Sequence, residues 1–320
     1  MTTGGQAPIE ALLDRLRRAR EGPDQAELCY LSALGAEEAA QLDEAWSDLP
    51  DGLRLDLTSR LVRMAEADFA LSFGAVFRIA MGDQDAEVRR VAIEGLWEDE
   101  DVRLIPQLTR CLDEDESVGV RAAAAQSLGR FILLGELGKI RPKACELAYA
   151  ALLHALRAPD EHIEVRRRAL ESLAYVCDQR VLASIREAHR SPSEKLRISA
   201  VFAMGRSADP RWDEEVRREL LSTNPAMRYE AARACGELQL PESVAMLGEL
   251  TEDSDAEVQE AAIWALGQVG GDRAREILEH HRCGVDEALK VAAEAALEEF
   301  EFLHGDLEDL FADVAEDPLW

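Results

Sequence analysis

The sequence repeats one stretch, seen most clearly as Asp255-Ala-Glu-Val-Gln-Glu-Ala-Ala-Ile-Trp-Ala-Leu-Gly267, along most of its 320 residues. We align the copies on their first apolar residue, which we call the anchor. The anchors are Val88, Val120, Val165, Leu196, Met227, Val258 and Leu289. Successive anchors are 32, 45, 31, 31, 31 and 31 residues apart. A repeat of this length predicts a solenoid, in which stacked copies of one unit share a continuous core.

Each copy carries the signals of a helix start. The residue three positions before the anchor is Asp85, Ser117, His162, Ser193, Asn224, Asp255 or Asp286. Six of these seven residues favour the N-cap, where a side-chain oxygen accepts a hydrogen bond from a free backbone N–H. At about 100° per residue, positions 0, 4, 5, 7 and 8 from the anchor lie on one arc. They are mostly small or aliphatic, so this arc is the predicted core face.

The phrase Asp85-Ala-Glu-Val-Arg-Arg-Val-Ala-Ile-Glu-Gly-Leu96 resembles the HEAT repeat, in particular the short variety of phycobilisome-lyase-type HEAT proteins. The resemblance covers roughly residues 53–300. It implies an all-α fold, a right-handed α-solenoid (superhelix) of stacked HEAT-like helix pairs. It also implies that the helix beginning at the Asp-x-x-Val-Arg phrase lines the concave side.

We expect three parts: a helical N-terminal cap at 1–52, the solenoid at 53–300, and an acidic cap or tail at 301–320. Within the cap, residues 9–20 have helical apolar spacing, and two short helices are expected between 25 and 48. Terminal repeats need such a cover because one of their faces has no neighbour.

The second helix of each pair is also visible in the sequence. Residues 53–67 and 69–81 are expected to form a degenerate first pair. The remaining partner helices are predicted at 102–112, 143–157, 180–189, 214–221, 243–250 and 273–281.

Two segments allow two interpretations each. The 45-residue interval contains 14 residues beyond the common period, near 131–145, which either project towards a partner or extend a helix pair that packs inward. The acidic tail either covers the last repeat or docks on another protein. The tail residues expected to provide this cover are Leu307, Leu310, Phe311 and Val314.

An arginine follows the anchor in five units, at Arg89, Arg121, Arg166, Arg197 and Arg228. An anion site is one interpretation of this column. We favour a structural ladder, because an arginine fork that joins carboxylates and carbonyls between repeats explains why the residue recurs. In the last two repeats Gln259 and Lys290 take its place.

Positions 2, 6 and 10 from the anchor point away from the predicted core. In the middle and late units they include aromatic residues interleaved with arginines, types that are enriched at interface hot spots. The predicted partner-binding residues are Arg167, Tyr175, Phe202, Arg206, Tyr229, Arg233, Trp264 and Gln268. The aromatic residues would anchor a protein segment and the arginines would meet its carboxylates. Ordinary packing between adjacent helices is the alternative explanation.

Composition restricts the function classes. The formal net charge of −28 disfavours nucleic acid as a partner. No apolar run is long enough for a membrane span, and we expect a cytoplasmic protein without a membrane partner. The six cysteines occur singly and are expected to be reduced and mostly buried. His280-His-Arg-Cys283 lacks the spacing of a zinc site, and no catalytic motif occurs, so we expect no metal, cofactor or small-molecule substrate.

The sequence therefore predicts a noncatalytic scaffold or adaptor that binds a protein or peptide on its concave face. The resemblance also suggests an alternative, a bilin lyase-like factor that attaches a chromophore to an antenna subunit. A second alternative is a HEAT-like protein that binds or repairs DNA.

Overall fold

The computed structural model describes residues 9, 12, 13, 15, 16 and 23–304, and all regular elements among them are helices. Seventeen α-helices have described bounds. They are α1 (Gln25–Leu28), α2 (Ala36–Trp46), α3 (Asp51–Ala67), α4 (Gly74–Ala80), α5 (Ala86–Gly95), α6 (Leu104–Glu114), α7 (Val118–Glu136), α8 (Pro142–Arg157), α9 (Ile163–Leu173), α10 (Gln179–His189), α11 (Glu194–Arg206), α12 (Asp213–Glu219), α13 (Pro225–Glu237), α14 (Val244–Leu250), α15 (Ala256–Val269), α16 (Asp272–Arg282) and α17 (Glu287–His304). Short 3-10 turns cover Cys29–Leu31, Pro210–Trp212 and Pro241–Ser243.

The chain divides into two compact units, Met1–Leu173 and Ala174–Trp320. We call α3, α5, α7, α9, α11, α13, α15 and α17 the anchor helices and the helices between them the flanking helices. In the first unit, α3, α5, α7 and α9 pack on one another in succession. In the second unit, α11, α13, α15 and α17 do the same. Each unit is thus a stack of helix pairs.

The predicted core face of the repeated phrase is buried. In α15, the five residues Val258, Ala262, Ile263, Ala265 and Leu266 are fully inaccessible to solvent. Small side chains let the next helix approach closely. The last two anchor helices, α15 and α17, illustrate this, because a Cβ atom added to Gly267 would lie 2.7 Å from the backbone oxygen of Ala296 in α17.

The helix at 51–67 has a different place from the one the sequence suggested. It was expected to pair with residues 69–81, but it packs on α5 as one anchor helix packs on the next. Helix α4 covers only Gly74–Ala80, because the backbone before it is held in a turn, with the Ala70 amide donating to Asp68 Oδ1 over 2.9 Å. A sequence signal exists, since Leu53-Arg54 repeats the anchor-arginine pair seen at Leu196-Arg197.

The extra residues of the long interval lengthen two helices. Helix α7 has 19 residues and α8 has 16, and they are joined by a short connection. Phe131, Ile132 and Leu134 of α7 are buried, whereas Leu137 in the connection is 59% exposed. The apolar side chains of this segment that lie on α7 therefore pack inward at Phe131, Ile132 and Leu134, whereas the connection is exposed.

The two ends of the chain differ in how far they are described. Near the N-terminus, Ile9, Leu12, Leu13 and Leu16 are buried, in keeping with the apolar spacing of that segment. The tail residues Leu307, Leu310, Phe311 and Val314 lie outside the described residues, so their expected cover of the last repeat stays a prediction. None of the helices in the described ranges is both long and apolar enough to cross a membrane.

The expectation that the cysteines are mostly buried is wrong. All six are free thiols, and only Cys235 is buried. Burial raises the pKa of the Cys235 thiol to about 12. Three others, Cys29, Cys177 and Cys283, are exposed because they lie in turns or just beyond a helix end instead of on the core face of a helix.

Candidate functional site

The ladder arginines each donate a hydrogen bond to a backbone carbonyl that precedes their own anchor helix. In most of them, Nη1 donates to a carbonyl six residues earlier, in the loop before the anchor helix. The distances are 2.8 Å from Arg89 to Asp83, 2.8 Å from Arg121 to Asp115, 3.0 Å from Arg197 to Ser191 and 2.9 Å from Arg228 to Ser222. Arg166 instead donates from Nε to the carbonyl of Leu156 over 3.1 Å. These bonds occupy carbonyls that precede the helix and have no helical partner.

Three of these arginines also donate hydrogen bonds to a carboxylate of the following repeat. Arg89 donates two hydrogen bonds to the Asp115 carboxylate, from Nε over 2.7 Å and from Nη2 over 2.8 Å. Arg228 donates to the Asp253 carboxylate from the same two nitrogens, over 2.7 Å for both bonds. The corresponding bonds from Arg121 to Glu161 measure 3.1 and 2.9 Å. Such two-pronged contacts fix geometry as well as charge, and all three pairs are largely shielded from solvent.

Arg54 makes the same kind of contact, although it does not belong to the arginine column predicted from the sequence. Its side chain is only 1% exposed, and its Nε donates to Asp83 Oδ2 over 2.6 Å. Its Nη1 donates to the carbonyl of Leu49, and the indole of Trp46 donates to the same Asp83 oxygen. The charge of this buried arginine is therefore compensated on several sides.

Among the predicted partner-binding residues, a group from the second unit lines a cavity of about 610 Å³ between α13, α15 and α17. We call this cavity the groove. Tyr229 and Arg233 from α13 form one wall, and Trp264 from α15 forms part of the base. All three side chains are half-buried.

Residues outside the predicted set complete the groove. Ala261 of α15 and three alanines of α17, Ala292, Ala295 and Ala296, give it a smooth apolar floor. Three carboxylates also line it, those of Glu257, Glu260 and Glu299. Extending the column of positions 2, 6 and 10 to the last repeat would have found Ala295 and Glu299, but neither Ala292 nor Ala296.

A smaller cavity of about 130 Å³ adjoins the groove and shares Tyr229 and Arg233 with it. Phe202 and Arg206 line this cavity, with the Arg206 guanidinium 5.4 Å from the centre of the Phe202 ring. Arg206 Nε lies 3.3 Å from Glu237 Oε1. Burial raises the pKa of Glu237, while the nearby positive charges of Arg206 and Arg233 act in the opposite direction. Arg206 is thus already engaged within the chain.

The Trp264 side chain is also part of the helix packing. The guanidinium of Arg233 lies 3.5 Å from the centre of the indole ring, a close cation–π contact. A Cβ atom added to Gly236 would come within 2.6 Å of Trp264 Cζ3, so the indole sits directly on the backbone of α13. The packing explanation therefore applies to this residue, and its role in partner binding stays a prediction.

The remaining predicted residues do not line either cavity. Arg167 belongs to α9 in the first unit and is 2.8 Å from Glu164 and 3.6 Å from Glu171. Tyr175 lies in the turn after α9, beyond the end of the helix on which the column was counted. Gln268, near the end of α15, donates a hydrogen bond to the groove residue Glu299.

The histidine pair near residue 280 has a structural environment. His281 Nε2 lies 2.8 Å from Thr251 Oγ1, and burial lowers the pKa of His281. Within the described residues, no group of three or more His, Cys, Asp or Glu side chains could hold a metal ion.

Comparison with known proteins supports the fold. The profile of the family described as HEAT repeats matches residues 75–148, 149–217 and 214–298, which together exceed half of the chain. The predicted resemblance to HEAT proteins is thereby confirmed. A search of curated protein sequences finds no match.

Several solved structures share the arrangement of helices. The complex of CpcE and CpcF of phycocyanin lyase from a Nostoc species has a TM-score of 0.52 at 18% identity, covering 89% of this chain and 97% of that chain. A structure in which Kap95p binds RanGDP has a TM-score of 0.51 at 13% identity, covering 96% of this chain and 47% of that chain. Human deoxyhypusine hydroxylase, at 20% identity over 82% of this chain and 95% of its own, reaches a TM-score of only 0.36. At these identities the likeness concerns the fold alone.

Proposed function

Because the chain belongs to the HEAT-repeat family, we propose that it is a noncatalytic protein-interaction scaffold whose groove binds an extended segment of a protein or peptide. Fold alone does not determine function, so the proposal depends on the groove. In this proposal the shape and polarity of the groove match those of the bound segment, no reaction is catalysed, and no cofactor is required.

The observation that carries this proposal is the combination of a half-exposed indole with an apolar floor in one cavity. The groove has a volume of about 610 Å³, within the range common for binding sites. Trp264 offers a large rigid surface, and the alanines of α17 leave room for the side chains of a partner. Because the walls are packed helices, the site is preformed and binding requires little ordering of the protein.

Phe202, Tyr229 and Trp264 are the proposed aromatic contacts. Arg233 belongs to the same proposed contact surface, with its guanidinium stacked on the Trp264 ring. Arg206 contributes less in this proposal, since Glu237 already neutralises it.

The proposal is tested by filling the groove. Ala292→Leu with Ala295→Leu places larger side chains on the floor, while leucine keeps nearly the helix propensity of alanine. We expect the double variant to keep the melting temperature of the wild type but to capture at least about tenfold less of its specific partners, because even one residue in the core of an interface can contribute 1.4 kcal/mol or more. Capture is measured by quantitative mass spectrometry after pull-down from the lysate of the source organism.

The matched control is Ala183→Leu, which makes the same exchange at an exposed site of the flanking helix α10. This control should capture partners as well as the wild type does. If the groove-filled variant captures the same proteins in the same amounts, the groove is not the binding surface. Trp264→Ala is a poorer test, since loss of the indole also removes packing on Gly236.

Bilin attachment is the second candidate function, favoured by the similarity to the CpcE–CpcF complex of phycocyanin lyase. Incubation with a bilin and an apo-phycobiliprotein separates the two candidates. We expect no covalent transfer of the chromophore, measured by absorbance of the denatured acceptor. Transfer that depends on this protein would overturn the noncatalytic assignment.

A further inference from the structure

The ionised groups that line the groove are mainly acidic. Glu257 and Glu260 stand one turn apart on α15, and Glu299 faces them from α17, against a single guanidinium from Arg233. Carboxylates therefore occur on two of the three helices that form the site.

These acidic groups differ in how far they are already compensated. Glu299 accepts a hydrogen bond from Gln268. Within residues 23–304, the carboxylates of Glu257 and Glu260 contact no cation and accept no hydrogen bond. Both side chains belong to exposed residues, so they are available to a ligand.

Arg233 is less available than its position suggests. Its flat face is stacked on Trp264, and its charge also acts on Glu237 at the adjoining cavity. The charge left over in the groove is therefore negative, and the formal net charge of −28 strengthens the attraction of cations from a distance.

The apolar floor specifies the shape of the ligand as well as its charge. Lysine and arginine carry a long methylene stem that packs on apolar surface while the charged end stays in water. The alanines of α17 are small enough to accept such a stem, and the carboxylates of Glu257, Glu260 and Glu299 line the same cavity at exposed residues.

We propose that the groove binds a basic, extended protein segment, with lysine or arginine stems on the alanine floor and their charges meeting Glu257, Glu260 and Glu299. This inference rests on the proposed function, because it takes the groove to be the protein-binding surface. It replaces the expectation that arginines of this chain meet carboxylates of the partner.

The test uses a display library of random dodecapeptides, selected on the full chain. A parallel selection uses the Ala292→Leu, Ala295→Leu variant, so that peptides lost on this variant are the groove-dependent ones. We expect lysine and arginine to be enriched at least about twofold among them over the starting library. For a selected peptide, Glu257→Gln with Glu260→Gln should weaken binding by about fivefold or more, in line with two partly screened ion pairs.

The control for charge is Glu294→Gln with Glu298→Gln, which removes two exposed carboxylates of α17 that do not line the groove. It should change binding less than twofold. Groove-dependent peptides enriched in aspartate or glutamate, or without charge bias, would overturn the inference and leave the proposed function intact. If no peptide depends on the groove, the proposed function itself fails.

Discussion

Arg228 shows how a single side chain connects two successive helix pairs. It donates to the Ser222 carbonyl in its own unit and to both oxygens of Asp253 in the next, with 14% and 8% of the two side chains exposed. Removal of the arginine leaves a buried carboxylate without its partner. For Arg228→Ala we expect the free energy of unfolding to fall by about 1–3 kcal/mol, the usual penalty for an unsatisfied buried polar group. Urea denaturation measures this change.

The control is Arg218→Ala, which removes an arginine whose pair with Glu214 is largely exposed. Exposed pairs contribute little, so this variant should stay within about 0.5 kcal/mol of the wild type. Equal losses from Arg218→Ala and Arg228→Ala would contradict the ladder.

The pH dependence of the same variant has a defined sign. The hydrogen bond from Arg228 lowers the pKa of Asp253 below its ordinary value. A carboxylate whose pKa is lower in the folded state stabilises that state above the unfolded pKa of about 3.9, and the stabilisation is lost as the pH falls through the folded pKa. The difference between wild type and Arg228→Ala should therefore be largest at neutral pH and shrink below about pH 4. Measurements at neutral and acid pH that give the same difference would contradict this account.

At the scale of the helix, two glycines in equivalent secondary structure should respond oppositely to alanine. A Cβ atom at Gly267 would lie 2.7 Å from the Ala296 carbonyl oxygen, and backbone atoms of a packed helix cannot give way easily. We expect Gly267→Ala to destabilise the protein by about 1–3 kcal/mol, as overpacking does. Thermal and urea denaturation provide the measurement.

Gly52 in α3 is the matched case, because a Cβ atom there meets nothing within 4 Å. Gly52→Ala should stabilise the protein by up to about 1 kcal/mol through helix propensity and the reduced freedom of the unfolded chain. Stabilisation by both substitutions would mean that α15 and α17 are not as close as described.

The helices themselves could be predicted from local sequence, because caps, periodicity and small residues all point to the same elements. For the six flanking helices predicted from 102 onward, the bounds agree with the structure to within two residues. Tyr175 was placed on a helical column because the count of 3.6 residues per turn was continued past the end of α9 at Leu173. Local periodicity does not say where a helix stops when no glycine or proline marks the end.

The candidate site was predicted only in part, since its lining depends on which helices meet side by side. The aromatic positions Tyr229 and Trp264 followed from single-helix geometry. The neutralisation of Arg206 by Glu237 did not, because these residues are 31 positions apart and belong to different helices. The alanine floor escaped notice because alanine is common throughout the sequence and becomes informative only beside an open cavity.

The charge of the whole molecule determines its behaviour towards polyanions. The chain has 64 acidic and 36 basic residues, and many arginines are held in ion pairs, such as Arg78 with Asp99. We therefore expect no retention on immobilised double-stranded DNA at about 0.15 M salt, where nonspecific binding requires a basic surface. Retention that falls steeply as salt is raised would favour the DNA-binding alternative instead.

The arginine–carboxylate contacts also bear on how such a chain lengthens. Residues 83–114 contain one carboxylate of the arginine ladder, Asp83, and one ladder arginine, Arg89. The partners of these two side chains lie outside the segment, at Arg54 and Asp115. If this segment were duplicated in tandem, the first Arg89 would face the copied Asp83 and the second would face Asp115. Each ladder arginine of the longer chain would then have a carboxylate partner in the next repeat without any further substitution. A gene duplication at this joint thus yields a chain whose new interface already carries its buried ion pair.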